Sequence, residues 1–178
     1  MLQRYGIIKR ELSAVKDRLE QVGIKWAIFA GAAAYCYGSK REVTDIDILV
    51  KYEDLDKAKF ALKDIHLEWI DIGYAHAGNE IRTEQGTCLF FLDDKMIKRI
   101  QSKKFSGVTV PVISVEDNIV FKAILQRGEE QGKHDIEDVI CMMKNEKIDF
   151  EYLEKRIQKC QAEKRVRPLL QRLIPEKN

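Results

Sequence analysis

The sequence predicts an α/β (α+β) protein, a mixed sheet flanked by helices with a helical C-terminal extension. Three observations predict it. Short apolar runs of strand type alternate with helical stretches as far as Ile113. Glycines at 73, 78 and 86 break the segment from Leu67 to Leu92 into short clusters, the pattern of strands joined by tight turns. Beyond Ser114 every periodic stretch is helical. The expected division is an α/β core over residues 1–113 and a helical extension over 114–178 packed on it.

Taken in order, Ile8, Leu12, Val15, Leu19 and Val22 recur at helical spacing between Ile7 and Val22, and Gly23 ends that helix. Lys25 to Ala30 reads as a buried strand. Gly31 then leads into Ala32 to Tyr37, a short helix closed by Gly38. Ile46 to Val50 reads as a second strand and Glu53 to Lys63 as a helix. The clusters Trp69 to Tyr74, Glu80 to Arg82 and Cys88 to Leu92 read as strands, Asp93 to Ile100 as a short helix, and Val108 to Ile113 as the last strand. Ser114-Val115-Glu116-Asp117 fits a helix N-cap followed by first-turn carboxylates. Helical periods follow over Ile119 to Leu125, Ile136 to Met143, Tyr152 to Ile157 and Val166 to Ile174.

Composition excludes several classes. With 178 residues, the chain can bury a core without disulfide or metal staples. Lys+Arg 31 against Asp+Glu 29 leaves a net charge of +2, so no global field draws it to nucleic acid. No run approaches the ~20 apolar residues of a membrane span. Met1 to Glu20 is charged throughout, without the apolar core of a signal peptide. Cys36, Cys88, Cys141 and Cys160 are scattered and form no C-x-x-C pair, so a reducing cytoplasm is the expected location.

The segment that carries chemistry runs from Ile28 to Val50. Side chains alternate along a strand, so Asp45 and Asp47 project from one face while Ile46, Ile48 and Val50 enter the core. Two adjacent carboxylates repel, and a cation relieves the repulsion. Mg²⁺ suits them, because it takes one or two carboxylates together with phosphate oxygens. Gly31 stands where a strand turns into a helix, leaving backbone open to a phosphate. A phosphate cradle followed by two metal-holding carboxylates is the minimal equipment for nucleotidyl transfer.

At these residues the chain resembles the nucleotidyltransferase superfamily of DNA polymerase β type. The fuller pattern is similar to the small nucleotidyltransferases of the AbiEii-like toxin group. Gly31, Ala34, Tyr37, Gly38, Arg41, Thr44, Asp45, Ile46 and Asp47 fill the places of that group's motif, with Ala32 at the second glycine position and one extra residue between Arg41 and Thr44. Downstream, Val112 to Lys122 is similar to a second family segment. Arg127 with Lys133 to Val139 is similar to a third. The resemblance spans about Trp26 to Met143 and implies a nucleotidyltransferase-type mixed sheet. It also implies metal binding by Asp45 and Asp47, backbone contacts to phosphate from Gly31 and Ala32, and secondary nucleotide contacts from Arg41, Thr44 and Lys122. The family places a third carboxylate on a later strand. The corresponding strand, Thr87 to Leu92, has no acid, and the nearby acids are Asp71, Glu80 and Asp93. If Thr87 to Leu92 lies beside Ile46 to Val50, Cys88 is the residue expected to face the two aspartates.

Other features have two readings each. Asp135 and Asp138 share a helix face and either orient Lys122 or Arg127 or cap their own helix. Lys159, Lys164, Arg165, Arg167, Arg172 and Lys177 form either an RNA-facing patch or a solvated helix face. The functional expectation is a protein that binds Mg²⁺ and a nucleoside triphosphate and transfers NMP to a hydroxyl of RNA, protein or a small molecule. The alternative is an inactive nucleotide- or partner-binding relative in a toxin–antitoxin or defence system. Neither reading includes a membrane.

Overall fold

The structure is a computed structural model and describes residues 2–43, 45–72, 80–83 and 86–173. Helix α1 (Leu2–Gln21) opens the chain, and its stripe of Ile8, Leu12, Val15 and Leu19 is buried. Burial of each such side chain stabilises by ~1.5–3 kcal/mol relative to exposure. Gly23, at φ +71, reverses the chain, and the Ile24 N–H bonds the Leu19 carbonyl at 2.9 Å. Strand β1 (Trp26–Phe29) follows and is buried at every position. It runs into α2 (Ala30–Cys36), β2 (Ile46–Val50), α3 (Leu55–Leu62) and β3 (Ile70–Ile72). Next come β4 (Glu80–Thr83), β5 (Gly86–Leu89), α4 (Asp94–Ile97), β6 (Gln101–Phe105) and β7 (Val108–Val112). Four α-helices follow among the described residues: α5 (Val115–Leu125), α6 (Asp135–Asn145), α7 (Phe150–Lys159) and α8 (Glu163–Leu173).

The main sheet has five strands in the order β3-β2-β1-β7-β6. The β1–β2 and β6–β7 pairs are antiparallel, whereas β1–β7 and β2–β3 are parallel, so the sheet is mixed as expected. Strands β4 and β5 form a separate two-stranded sheet. The Glu11 carboxylate on α1 fixes the entry to β3, accepting the Glu68 and Trp69 N–H groups at 3.0 Å each.

Two departures from the sequence reading bear on the site. Gln101–Phe105 is a strand that the apolar pattern does not announce, because Gln-Ser-Lys-Lys is polar. It is an edge strand, where lysines discourage further pairing. Its hairpin with β7 turns on Ser106 and Gly107, at φ 47 and 80, the positive pair of a tight two-residue turn. The second departure concerns Thr87 to Leu92. The sheet neighbours of β2 are β1 and β3. Gly86–Leu89 pairs instead with β4, and the run meets β2 through the Leu92 N–H on the Val50 carbonyl, at 3.1 Å.

The helical extension shares the apolar core of the sheet: Ile119, Val120, Phe121, Val139 and Val166 are buried in one cluster with Ile28, Ile48 and Val112. Ser114 caps α5 as predicted, its Oγ accepting the Asp117 N–H at 3.2 Å. Arg165 from the basic C-terminal stretch donates to the Ile124 and Leu125 carbonyls at the end of α5. Arg167 pairs with Glu154. These two cations therefore serve helix packing.

Candidate active site

The β1–β2 register builds the site. Phe29, the last residue of β1, is opposite Asp47, so the turn at Ala30 and Gly31 emerges beside the two aspartates. Asp45 is exposed and Asp47 half-buried, with fully buried Ile46 between them and Ile48 beyond. That is the alternation expected of carboxylates on the solvent side of a strand. Ala30 sits at φ +55, a left-handed conformation that costs an L-residue ~1–2 kcal/mol. The Asn118 carboxamide of α5 steadies this turn, donating to the Ala30 carbonyl at 3.1 Å from a fully buried position. Backbone strain held by outside contacts is a recurrent property of ligand sites. The resemblance already covered Asn118 but gave it no role; a polar residue amid the apolar face of α5 was the available signal.

Gly31 borders Arg41: a Cβ built there would lie 3.6 Å from the Arg41 Nη2. Ala32 is fully buried, so its methyl belongs to the core, and only its backbone can serve a ligand. Thr44 lies outside the described residues. Tyr37 and Gly38, which belong to the motif, are structural. The Tyr37 hydroxyl donates to the Ile113 carbonyl at 2.6 Å, tying the end of α2 to the end of β7. Gly38 has φ +101, and a Cβ there would stand 2.6 Å from the Asn145 Nδ2. Gly38→Ala is therefore expected to cost ~1–3 kcal/mol, seen as a lower Tm in thermal unfolding. Asn145→Ala in the same chain should restore only the part due to the clash.

Lys122 is buried rather than open to a ligand. Its Nζ lies 2.8 Å from Asp135 and 3.0 Å from Asp138, and all three side chains are at most 4% exposed. Arg127 closes on Asp135 at 2.8 Å, and Arg41 on Asp138 at 2.7 Å. Ser39 donates to Asp138 at 3.0 Å. Burial pushes the Asp135 carboxyl up, but Arg127 and Lys122 outweigh it and hold the pKa below the ordinary value. Of the two readings of Asp135 and Asp138, orientation of Lys122 and Arg127 is the one realised. The cluster reaches the site through Arg41, which spans from Asp138 to Gly31.

Asp93 is the N-cap of α4, accepting the Lys95 and Met96 N–H groups at 2.9 Å each, and it pairs with Arg156 and Lys159. The side chain of Glu80 lies outside the described residues. Asp71 is the backbone partner of Asp47 across the β2–β3 pair. Cys88 meets the Cys160 thiol and lies near Arg156 and Lys159, a cationic setting rather than the anionic one expected for it.

A family model described as an uncharacterised nucleotidyltransferase matches residues 2–173. The chain belongs to that family. The solved structures similar to it include the antibiotic-resistance factor ANT(2'')-Ia, known from a solution structure with substrate-regulated conformation dynamics. That likeness covers 96% of this chain and 97% of that one, at 12% identity and a TM-score of 0.54. An antigenic nucleotidyltransferase-like protein from Paracoccidioides brasiliensis is also similar, at 18% identity and a TM-score of 0.45 over 92% of this chain and 89% of that one. Among curated proteins, none matches the chain. The fold is thus the nucleotidyltransferase-type mixed α+β arrangement that the motifs implied.

Asp47 on β2 and Asp45 just before it carry hard oxygen donors, the chemistry that a Mg²⁺-class cation takes together with phosphate oxygens. Among the described residues, no three His, Cys, Asp or Glu side chains gather into a fuller ligand set. No helix of the described residues is long and apolar enough to cross a membrane.

Proposed function

We propose that this protein binds a nucleoside triphosphate with Mg²⁺ and transfers the nucleoside monophosphate to a hydroxyl acceptor. The observation that carries the reading is the Phe29–Asp47 register, which sets the strained Ala30–Gly31 turn beside Asp45 and Asp47. Asp45 and Asp47 hold the cation. Gly31 and Ala32 present backbone to the phosphates, and Arg41 places positive charge at their edge. Thr44, next to Asp45 in the chain, is kept as a nucleotide contact on the motif alone. Bound Mg²⁺ supplies charge neutralisation at the phosphate oxygens. Lys122 contributes through Arg41: by neutralising Asp138 and Asp135 it leaves three cations around two buried carboxylates, an excess that favours an anion beside Gly31.

A hydroxyl acceptor needs a base. We assign that role to Asp71 because its register position is the one beside Asp47. The third carboxylate would then come from β3 and not from the run Thr87 to Leu92 that the family pattern suggests. Membership of the AbiEii-like group and an RNA or protein acceptor rest on the motifs and belong to the same proposal. The test is incorporation of labelled nucleotide, supported by thermal shift with Mg²⁺ and each of the four triphosphates. Asp71→Asn should lower transfer ~10²–10⁴-fold while triphosphate binding persists. Unchanged transfer in that variant would remove Asp71 from the site. Binding without transfer in the wild type would establish the inactive-relative alternative.

A further inference from the structure

Two cysteines that the proposed transfer does not use meet between β5 and the end of α7. Cys88 on β5 and Cys160 at the C-cap of α7 are distant in sequence, yet their thiols interact, while the Cys88 thiol also reaches the Leu89 carbonyl at 3.8 Å. Both line one cavity of about 440 Å³. The two differ in access: Cys88 is half-buried beside exposed Thr87 and Leu89, whereas Cys160 is buried. Arg156 and Lys159 flank the pair from α7. The acids facing this cavity are Asp93, ahead of α4, and Glu53, in the turn after β2. Asp93 is already engaged by both cations. Asp117 of α5 takes the other side of the Arg156 guanidinium at 2.6 Å.

We propose that Cys88 and Cys160 form a redox-modifiable dithiol, in which Cys88 reacts with a small hydroperoxide and Cys160 resolves the product to a disulfide. The Cys88 thiolate attacks one peroxide oxygen. The S–O bond forms, the O–O bond breaks, and hydroxide leaves to take up the proton released by the thiol. The Cys160 sulfur then attacks the Cys88 sulfur. The S–S bond forms, the S–O bond breaks, and hydroxide leaves with the Cys160 proton as water. Two thiols are oxidised by two electrons in total, and one hydrogen peroxide becomes two waters.

The electrostatics assign the two roles. The Cys160 thiol outweighs burial, and Arg156 and Lys159 add to its effect, holding the Cys88 thiol below its ordinary value. The same contact and burial push Cys160 up, so it stays protonated until Cys88 is oxidised. Cys36 provides an internal contrast, since burial pushes its thiol up to about 11. The consequence of closure is mechanical. A Cys88–Cys160 bond would tie β5 to α7, and the same run continues into Phe90. Phe90 packs on Phe121 at 5.0 Å and on Phe29 at 6.2 Å, and Phe29 is the residue opposite Asp47.

The experiment uses the full chain, reduced, desalted and exposed at pH 7 to a slight excess of hydrogen peroxide. Alkylation and peptide mapping by mass spectrometry follow. The expected result is one new link, between the Cys88 and Cys160 peptides, with Cys36 and Cys141 still alkylated. Cys160→Ser should halt the reaction at a Cys88 sulfenic acid trapped by dimedone. Iodoacetamide should modify Cys88 about tenfold or more faster than Cys36 at pH 7. No variant is needed for the mapping, so a misfolded mutant leaves the outcome readable. A different pairing, an intermolecular link, an 88–160 link formed only in urea, or equal alkylation of Cys88 and Cys36 would each overturn the proposal.

Discussion

Replacing Asp45 and Asp47 together with asparagine should abolish Mg²⁺-dependent triphosphate binding. Asparagine keeps the shape of each side chain but removes the anionic oxygens that a hard cation requires. Because one residue is exposed and the other half-buried, neither substitution opens a cavity in the core. The folded state is therefore expected to persist, or to gain slightly from relief of like-charge repulsion. Calorimetric titration with and without Mg²⁺ is the measurement. A loss of a hundredfold or more corresponds to ~2.8 kcal/mol or above. Binding that survives in the double variant with its Mg²⁺ dependence intact would place the cation elsewhere. Wild-type affinity that EDTA leaves unchanged would show instead that the triphosphate binds without metal.

How far this site could be read in advance depends on the range of the interactions that make it. Asp45, Ile46, Asp47 and Ile48 declare their faces through a two-residue period, a property of local backbone geometry, and the structure keeps it. Gly31 at a strand-to-helix turn is likewise local. The neighbour of β2 was not legible, because strand order is set by long-range packing. Ile70 and Ile72 in β3 look no different from the apolar residues of Thr87 to Leu92, yet the Glu11 carboxylate on α1 fixes the entry to β3. The edge strand Gln101–Phe105 escaped notice because its exposed lysines suit an edge and hide the alternation. The burial of Lys122 was not legible for a related reason. A lysine in a helix can reach a ligand, snorkel to water or be buried on a counter-charge. Only the fold, by bringing α6 against α5, selects the last.

Lys122→Met is expected to be strongly destabilising. It removes the cation lying between Asp135 and Asp138, carboxylates that are 0% and 1% exposed. Arg127 and Arg41 remain as one partner for each, so neither acid is left wholly bare, but both lose their shared central charge. Breaking a buried pair by removing one partner typically costs ~3–5 kcal/mol. Urea unfolding at pH 7 should show a loss in that range. The pH dependence has a definite sign. Asp135 is held below the ordinary carboxylate pKa in the folded protein. Its contribution in the wild type is thus fully present above the unfolded value of 3.8 and disappears as pH falls through the lower folded value. In Lys122→Met Asp135 loses one of the cations that hold its pKa down, so the gap between variant and wild type should narrow as pH falls from 7 towards 4. Adding Asp135→Asn to Lys122→Met should recover part of the stability, because the pair is coupled. The same variants decide the role of Lys122 in binding. If it acts by releasing Arg41 from Asp138, affinity for triphosphate and monophosphate should fall together. A selective loss of triphosphate affinity with stability intact would mean that Lys122 leaves the cluster to meet the outer phosphates directly.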